Sequence, residues 1–389
     1  FCFLIFSCSF DDDITTIENL HLITESLSSD DMQGRNPGTE GGQLAKNYIS
    51  NKFSETNLKT FGNSYFHEVP AVSSNVMDSS FFTISFRDKD RKLNYGSEVV
   101  FWSKRNLKNQ RINSSDLVFV GYGIVAPEFG WNDYEDIDVT GKTVVMLIND
   151  PGFETGKLRL FNGRAMTYYG RWTYKFEEAA RQGASAAIII HEEEAAGYPW
   201  SVVENSWTGS QLDLQRKDLG LSRTILESWI DLDVANEIFT FTGFDYESLK
   251  EFALDKSFQA FEMKGLSLTS KIISDISYFS SHNLIGFKEG TVRPEEYLIF
   301  MAHWDHLGIN EELDGDIIYN GAADNATGVA GVIELARLFK NIQTDRSIIF
   351  AALTLEESGL LGSSYLVENP PVNLASIVAG FNFDGILPT

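Results

Sequence analysis

The sequence predicts an α/β protein: a mixed, mainly parallel sheet with helices on both faces, interrupted by an inserted β-rich domain. Three observations lead there. From about residue 281 onward, apolar strand-like runs alternate with segments of helical period, which is the pattern of a parallel sheet with covering helices. Between about 70 and 150, strand-like runs dominate instead. The chain has 389 residues, more than twice the ~150 that serve as a prior for one domain, so at least two domains are expected.

The N-terminal residues 1–13 read as the remnant of an export leader. An apolar run leads through Ser7 to Cys8 and then turns abruptly acidic at Asp11, Asp12 and Asp13. Ile5-Phe6-Ser7-Cys8 resembles a lipobox, with Phe6 bulkier than the pattern prefers, so a lipid anchor at Cys8 and an extracytoplasmic body (cell envelope, periplasm or secreted) are expected. An ordinary signal peptide is the alternative. Cys2 and Cys8 are the only cysteines, so no disulfide staples the rest of the sequence. No other stretch approaches the ~20 apolar residues of a membrane span.

Over 14–66, the spacing of Ile17, Leu20, Leu27, Leu44, Tyr48, Ile49 and Phe53 predicts two helices, separated by the turn-rich Gly34-Arg35-Asn36-Pro37-Gly38. Strands are predicted over 81–86, 117–123 and 143–148, then a helix over 176–183 and a buried strand over 186–190 ending at His191. Glu192, Glu193 and Glu194 read as a solvated loop. A strand at 298–302, a helix at 326–340 and strands at 347–353 and 376–381 complete the pattern. The expected division is 14–115 and 266–389 as the two parts of one domain, the second holding the metal-ligand residues, with 116–265 as the insert and its connection.

The charge narrows the partners. With 55 acidic against 31 basic residues, the formal net charge is -24, so phosphate backbones would be repelled and nucleic acid is excluded as a partner. Hydrophobic residues at 43% and charged residues at 22% fit a packed globular chain. Oligomeric state is not legible.

Parallel sheets bind ligands at the carboxyl ends of their strands. The residues there are of metal-ligand type: His303 and Asp305 after the first predicted strand, Asp324 before the following helix, Glu356 and Glu357 after the second strand, and Asp384 after the third. Each alone is more often an ordinary surface or core residue. Their occurrence in order at one sheet edge points to zinc.

Four stretches resemble the two-zinc aminopeptidases and their glutamate-carboxypeptidase-like relatives: Ala302-His303-Trp304-Asp305-His306-Leu307-Gly308, Gly321-Ala322-Ala323-Asp324-Asn325-Ala326-Thr327-Gly328, Glu356-Glu357-Ser358-Gly359-Leu360-Leu361-Gly362-Ser363, and Asn382-Phe383-Asp384. Ser29-Asp30-Asp31-Met32-Gln33-Gly34-Arg35 with Pro37-Gly38-Thr39 is similar to that family's opening segment. The middle, from Val118 to about Glu227, is similar to the protease-associated domain inserted in many members. The resemblance implies the phosphorylase/hydrolase-like fold of the zinc exopeptidases.

It further implies roles. His303 and Asp384 would hold one zinc, Asp324 would bridge two, and Glu357 would hold the second. Glu356 would act as general base toward a zinc-acidified water, and Asp305 would fix the His303 tautomer by accepting its other ring N–H. His306 is a competing ligand. The Asp324–Asn325 peptide bond is expected to be cis. The family's second zinc takes one more His downstream, and none follows His306 here, so the chain is expected to stop short of that ligand, to bind about one zinc and to have low activity. A peptide-hydrolysing aminopeptidase is the leading expectation. Open alternatives are a glutaminyl-cyclase-like enzyme, a non-catalytic receptor-like member and a metal-dependent deacylase, and amino-terminal against carboxyl-terminal cleavage and side-chain preference stay undecided.

Overall fold

The computed structural model describes residues 16–87, 89–311 and 314–386. The expected leader, with Cys2 and Cys8, lies outside the described residues. The chain divides into two compact units, one of residues up to Ala71 together with those from Phe279 onward, the other Val72–Tyr278.

The first unit is built on helices α1 (Thr16–Leu27) and α2 (Glu40–Glu55), strand β1 (the end of Phe261–Lys288), β2 (Arg293–His303), α3 (Thr327–Phe339), β3 (Arg346–Leu353), α4 (Leu361–Glu368) and β4 (Ile377–Asn382). The strands run in the order β4-β2-β3-β1. β2 is parallel to both β3 and β4, and β1 is antiparallel to β3. This is the mixed, mainly parallel sheet expected. β3 is buried on both faces, which is why it reads as an unbroken apolar run. Its side chains alternate: Ile348, Phe350 and Ala352 pack with Ile23 and Leu27 of α1, Ile49 and Phe53 of α2, and Val329 and Ile333 of α3. Ile349, Ala351 and Leu353 face the other way, toward Leu366 of α4. Helices therefore cover both faces. α2 starts where it does because the Thr39 side chain accepts a hydrogen bond from the Gly42 N–H, satisfying one of the orphan donors of the first turn.

The second unit is wider than the expected insert, starting at 72 rather than 116 and ending at 278 rather than 265. The cause is non-local pairing. Residues 266–271 of the long strand Phe261–Lys288 pair with Phe81–Phe86, and residues 261–273 pair with Asn109–Phe119, so segments expected with the first unit fold here. Strands dominate, with Asn109–Phe119, Thr143–Leu147, Ala186–Ile190 and Leu226–Ile230 as parallel neighbours. Helices Trp172–Arg181, Leu232–Thr242 and Tyr246–Ala253 belong to it too; only the first was expected from the sequence. His191 is a buried strand-end residue whose Nε2 lies 3.0 Å from the Tyr198 carbonyl. Glu192 is not merely solvated: it accepts from Tyr246 Oη at 2.8 Å and pairs with Lys250. Among the described residues no helix is long and apolar enough to cross a membrane.

Candidate metal centre

The register of the first unit builds the site. His303 pairs with Leu353, the last residues of β2 and β3, and Asn382, the last residue of β4, pairs with Met301, two residues before the end of β2, so Asp384, two residues past β4, and the residues that follow β3 converge beside His303. Trp304, wholly buried, anchors the turn after β2 by donating from Nε1 to the His282 carbonyl at 3.0 Å, which fixes the side chains on either side of it.

His303 is 3% exposed. Its Nδ1 lies 3.2 Å from the main-chain carbonyl of Asp305, a contact that assigns the ring proton to Nδ1 and leaves the Nε2 lone pair outward. Nε2 stands 3.0 Å from Asp324 Oδ1, 3.5 Å from Asp384 Oδ1 and 3.8 Å from Glu356 Oε2, yet it is buried and has no hydrogen-bond partner. A lone pair facing three carboxylates calls for a cation between them. The imidazole pKa reflects the same demand: burial pulls it down, and Asp305, Glu356, Asp324 and Asp384 together push it up.

These spacings fit a metal. Ligands at ~2.0–2.2 Å on a tetrahedral zinc stand about 3.4 Å apart, close to the distances from Nε2 to Asp324 and Asp384. A nitrogen and two carboxylates make the three-ligand set of a catalytic zinc site. The ligand atoms of His306, Asp324 and Glu357 form an adjoining group within 4.8 Å of one another, with His306 Nδ1 2.5 Å from Glu357 Oε1. Asp324 is common to both groups, the place expected of a bridging ligand. His306 was weighed in the sequence as a rival to His303; it faces Glu357 instead.

Asp305 differs from its expected arrangement. Its carboxylate is 3.8 Å from His303 Nδ1 and instead accepts the backbone N–H groups of Glu356 at 3.1 Å and Glu357 at 3.4 Å. The tautomer is thus held by the Asp305 carbonyl, and the side chain holds the turn that presents both glutamates. Complete burial pushes Asp305 up to about 6 despite His303 and the Glu356 N–H. Burial likewise raises Glu356 to about 7, opposed by His303 and reinforced by Asp305, Glu357 and Asp384.

Asn325, fully buried, had no side-chain role in the sequence reading. Its Nδ2 donates to the Phe383 carbonyl at 2.9 Å, and its Oδ1 accepts from Gly385 N–H at 3.2 Å and Gly328 N–H at 3.0 Å. Phe383 and Gly385 flank Asp384, so one amide next to Asp324 grips both sides of Asp384. The only signal in the sequence was its adjacency to Asp324. The Asp324–Asn325 bond is cis.

Comparison with known proteins bears on this segment. Residues 283–389 match the model of peptidase family M28. The matched stretch contains every residue of the cluster. Over 99 residues the chain is 35% identical to a probable zinc metalloprotease of Pyrenophora tritici-repentis, covering 24% of this chain and 22% of that protein. Over 91 residues it is 33% identical to aminopeptidase YwaD of Bacillus subtilis, covering 23% and 18%. The matched stretches thus span about a fifth of those relatives' lengths. Among solved structures, the aminopeptidase from Aneurinibacillus sp. strain AM-1 aligns over 95% of this chain and 70% of its own, at 18% identity and a TM-score of 0.48.

Proposed function

We propose that this protein is a zinc-dependent exopeptidase of the aminopeptidase type, hydrolysing peptides with Glu356 as general base. The observation behind this reading is the orphaned, buried Nε2 of His303 among Asp324, Asp384 and Glu356, inside the stretch that matches peptidase family M28. His303, Asp324 and Asp384 would hold a first zinc, and Asp324 and Glu357, with His306 beside them, a second. Zinc bound there would polarise the scissile carbonyl and acidify a water.

The protein's own residues do the rest. Glu356 lies 3.8 Å from His303 Nε2 with its pKa raised to about 7, where a carboxylate can both take a proton from water and return it to the leaving amine. Asp305 orients that carboxylate through the Glu356 N–H. His303, with its proton pinned on Nδ1 by the Asp305 carbonyl, offers only its lone pair to the cluster. In the same reading residues 116–265, which lie within the unit Val72–Tyr278, correspond to a protease-associated domain and its connecting segment. The Ile5-Phe6-Ser7-Cys8 run would place the protein outside the cytoplasm with Cys8 as lipid attachment point, and labelling with a radioactive fatty acid would decide that.

The test of activity is hydrolysis of aminoacyl anilides and short peptides by the purified protein, before and after chelation and on zinc return. Hydrolysis lost with chelator and regained with zinc is expected. With the downstream His of the second zinc also present, zinc binding without hydrolysis would overturn the reading in favour of a non-catalytic protein, and cyclisation of N-terminal Gln peptides in place of hydrolysis would favour a cyclase.

A further inference from the structure

Arg35 is 1% exposed, and its guanidinium meets main-chain carbonyls only. Nε donates to Trp304 O at 2.9 Å, Nη1 to Leu27 O and Asn320 O at 2.6 Å each, and Nη2 to Gly321 O at 2.9 Å. Trp304 lies between His303 and Asp305. Asn320 and Gly321 lead directly into Asp324. One planar group therefore joins the loop carrying the nitrogen ligand to the loop carrying the carboxylate shared by both ligand groups, and ties both to the end of α1.

The backbone is shaped to deliver it. Gln33, Gly34 and Arg35 are all left-handed, with φ of 49°, 64° and 52°, a conformation unfavourable for side chains other than glycine. Gly34 lets the chain press close: a Cβ there would meet Gly308 O at 2.4 Å and Tyr319 O at 2.7 Å. Asn320 is itself held by donating to Ser28 O at 2.9 Å and Asp30 Oδ1 at 2.8 Å. A buried cation is costly unless its surroundings compensate it. Here five N–H donors in a rigid fork find four carbonyls, and Asp305, Asp324 and Glu357 lie near enough to favour the charge without any of them bonding to it. Hydrogen bonds to the carboxylates would have occupied the ligand oxygens. Bonds to carbonyls leave those oxygens free.

We infer that Arg35 is a positioning residue that sets the spacing between the His303–Asp305 loop and the Asp324 loop, and so the zinc affinity of the site. The inference rests on the metal-centre reading above. Lysine keeps the charge but is a point donor that cannot span four carbonyls. Arg35→Lys should therefore lower zinc affinity, read by competition against a chromophoric chelator, by about 10- to 100-fold, the range for residues that orient metal ligands.

General loosening of the fold is separated from spacing by a cycle. In an Asp324→Ala background the second loop carries no ligand, so Arg35→Lys should change the residual zinc affinity by no more than about twofold, the scatter of independent sites; equal losses in both backgrounds would overturn the inference. If Arg35→Lys does not fold, Gly321→Ala disturbs the same contact from the other side, since a Cβ there would meet Arg35 Nη2 at 2.6 Å; it would also meet Asp324 O and His306 Cδ2 at 2.5 Å each, so it is read against the same Asp324→Ala background. It should weaken zinc in the same range. Unchanged affinity in either folded variant overturns the inference alone, whereas a wild-type protein that binds no zinc overturns the metal-centre reading with it.

Discussion

Glu356 and Glu357 are neighbours in the chain and share one turn, but they face different partners: His303 Nε2 for the first, His306 Nδ1 for the second. That difference predicts their substitutions. Glu356→Gln keeps size and polarity and removes the base, so turnover should fall by about 10² to 10⁴ while bound zinc, measured by elemental analysis, stays at the wild-type level; loss of metal instead would mean that the two glutamates have exchanged roles. Asn325→Asp replaces the donor to the Phe383 carbonyl with an acceptor. Two acceptors then face each other in a buried place, at a cost of about 1–3 kcal/mol, so the variant should melt lower and bind zinc more weakly. A variant with unaltered zinc affinity would remove Asn325 from the account of Asp384. The candidate ligands themselves were legible in the sequence because each directly follows a strand or opens a helix, positions that topology brings together. What the Asp305 carboxylate, His306, Asn325 and Arg35 contact was not legible, since side-chain direction in a turn depends on residues far along the chain.

At the level of elements, the helix that follows the two glutamates is seated by a glycine. Gly362, the second residue of α4, lies so close to the end of β3 that an added Cβ would meet Thr354 O at 2.1 Å and Asn283 Oδ1 at 2.7 Å, and Asn283 bridges the Gly362 carbonyl and the Thr354 N–H. Since Thr354 O is main chain and the Asn283 amide is held by those two hydrogen bonds, Gly362→Ala should destabilise by ~2 kcal/mol, visible as a lower denaturation midpoint in urea with little change in slope. A wild-type midpoint would show that the turn can open at no cost. α3, β3 and β4 appeared in the sequence with nearly the observed bounds, α1 and α2 as two helices without stated ends, and β2 only over 298–302 of Arg293–His303, because an apolar run or a helical period is written locally while the polar start of β2 is set by its pairing. Phe81–Phe86 was also visible as a strand. Its unit was not, because membership depends on pairing with residues 266–271, about 185 positions away.

For the whole molecule, the acidic cluster makes stability depend on pH and metal together. Asp305 and Glu356 carry pKa values of about 6 and about 7 in the folded chain, above the ~4 of the unfolded one. Groups raised in this way contribute stability that is complete below pH ~4 and is lost as the pH rises through 6 to 7. Zinc competes with those protons for the same cluster. Saturating zinc should therefore raise the melting temperature more at pH 8 than at pH 5, and comparing plus and minus zinc at each pH cancels the titration of remote groups; equal gains would place the metal away from this cluster. The register that sets His303 level with the end of β3, and Asp384 two residues past the end of β4, has a consequence for how such a sequence can vary. A residue inserted or deleted inside one of these strands would shift its ligand by ~3.3 Å along the sheet, whereas metal bonds tolerate only about 0.2 Å. Length changes should accordingly be absent from the interiors of these three strands in functional homologues and confined to the surface connections, so that the spacing of the ligand-bearing ends acts as a ruler against which newly found sequences can be aligned.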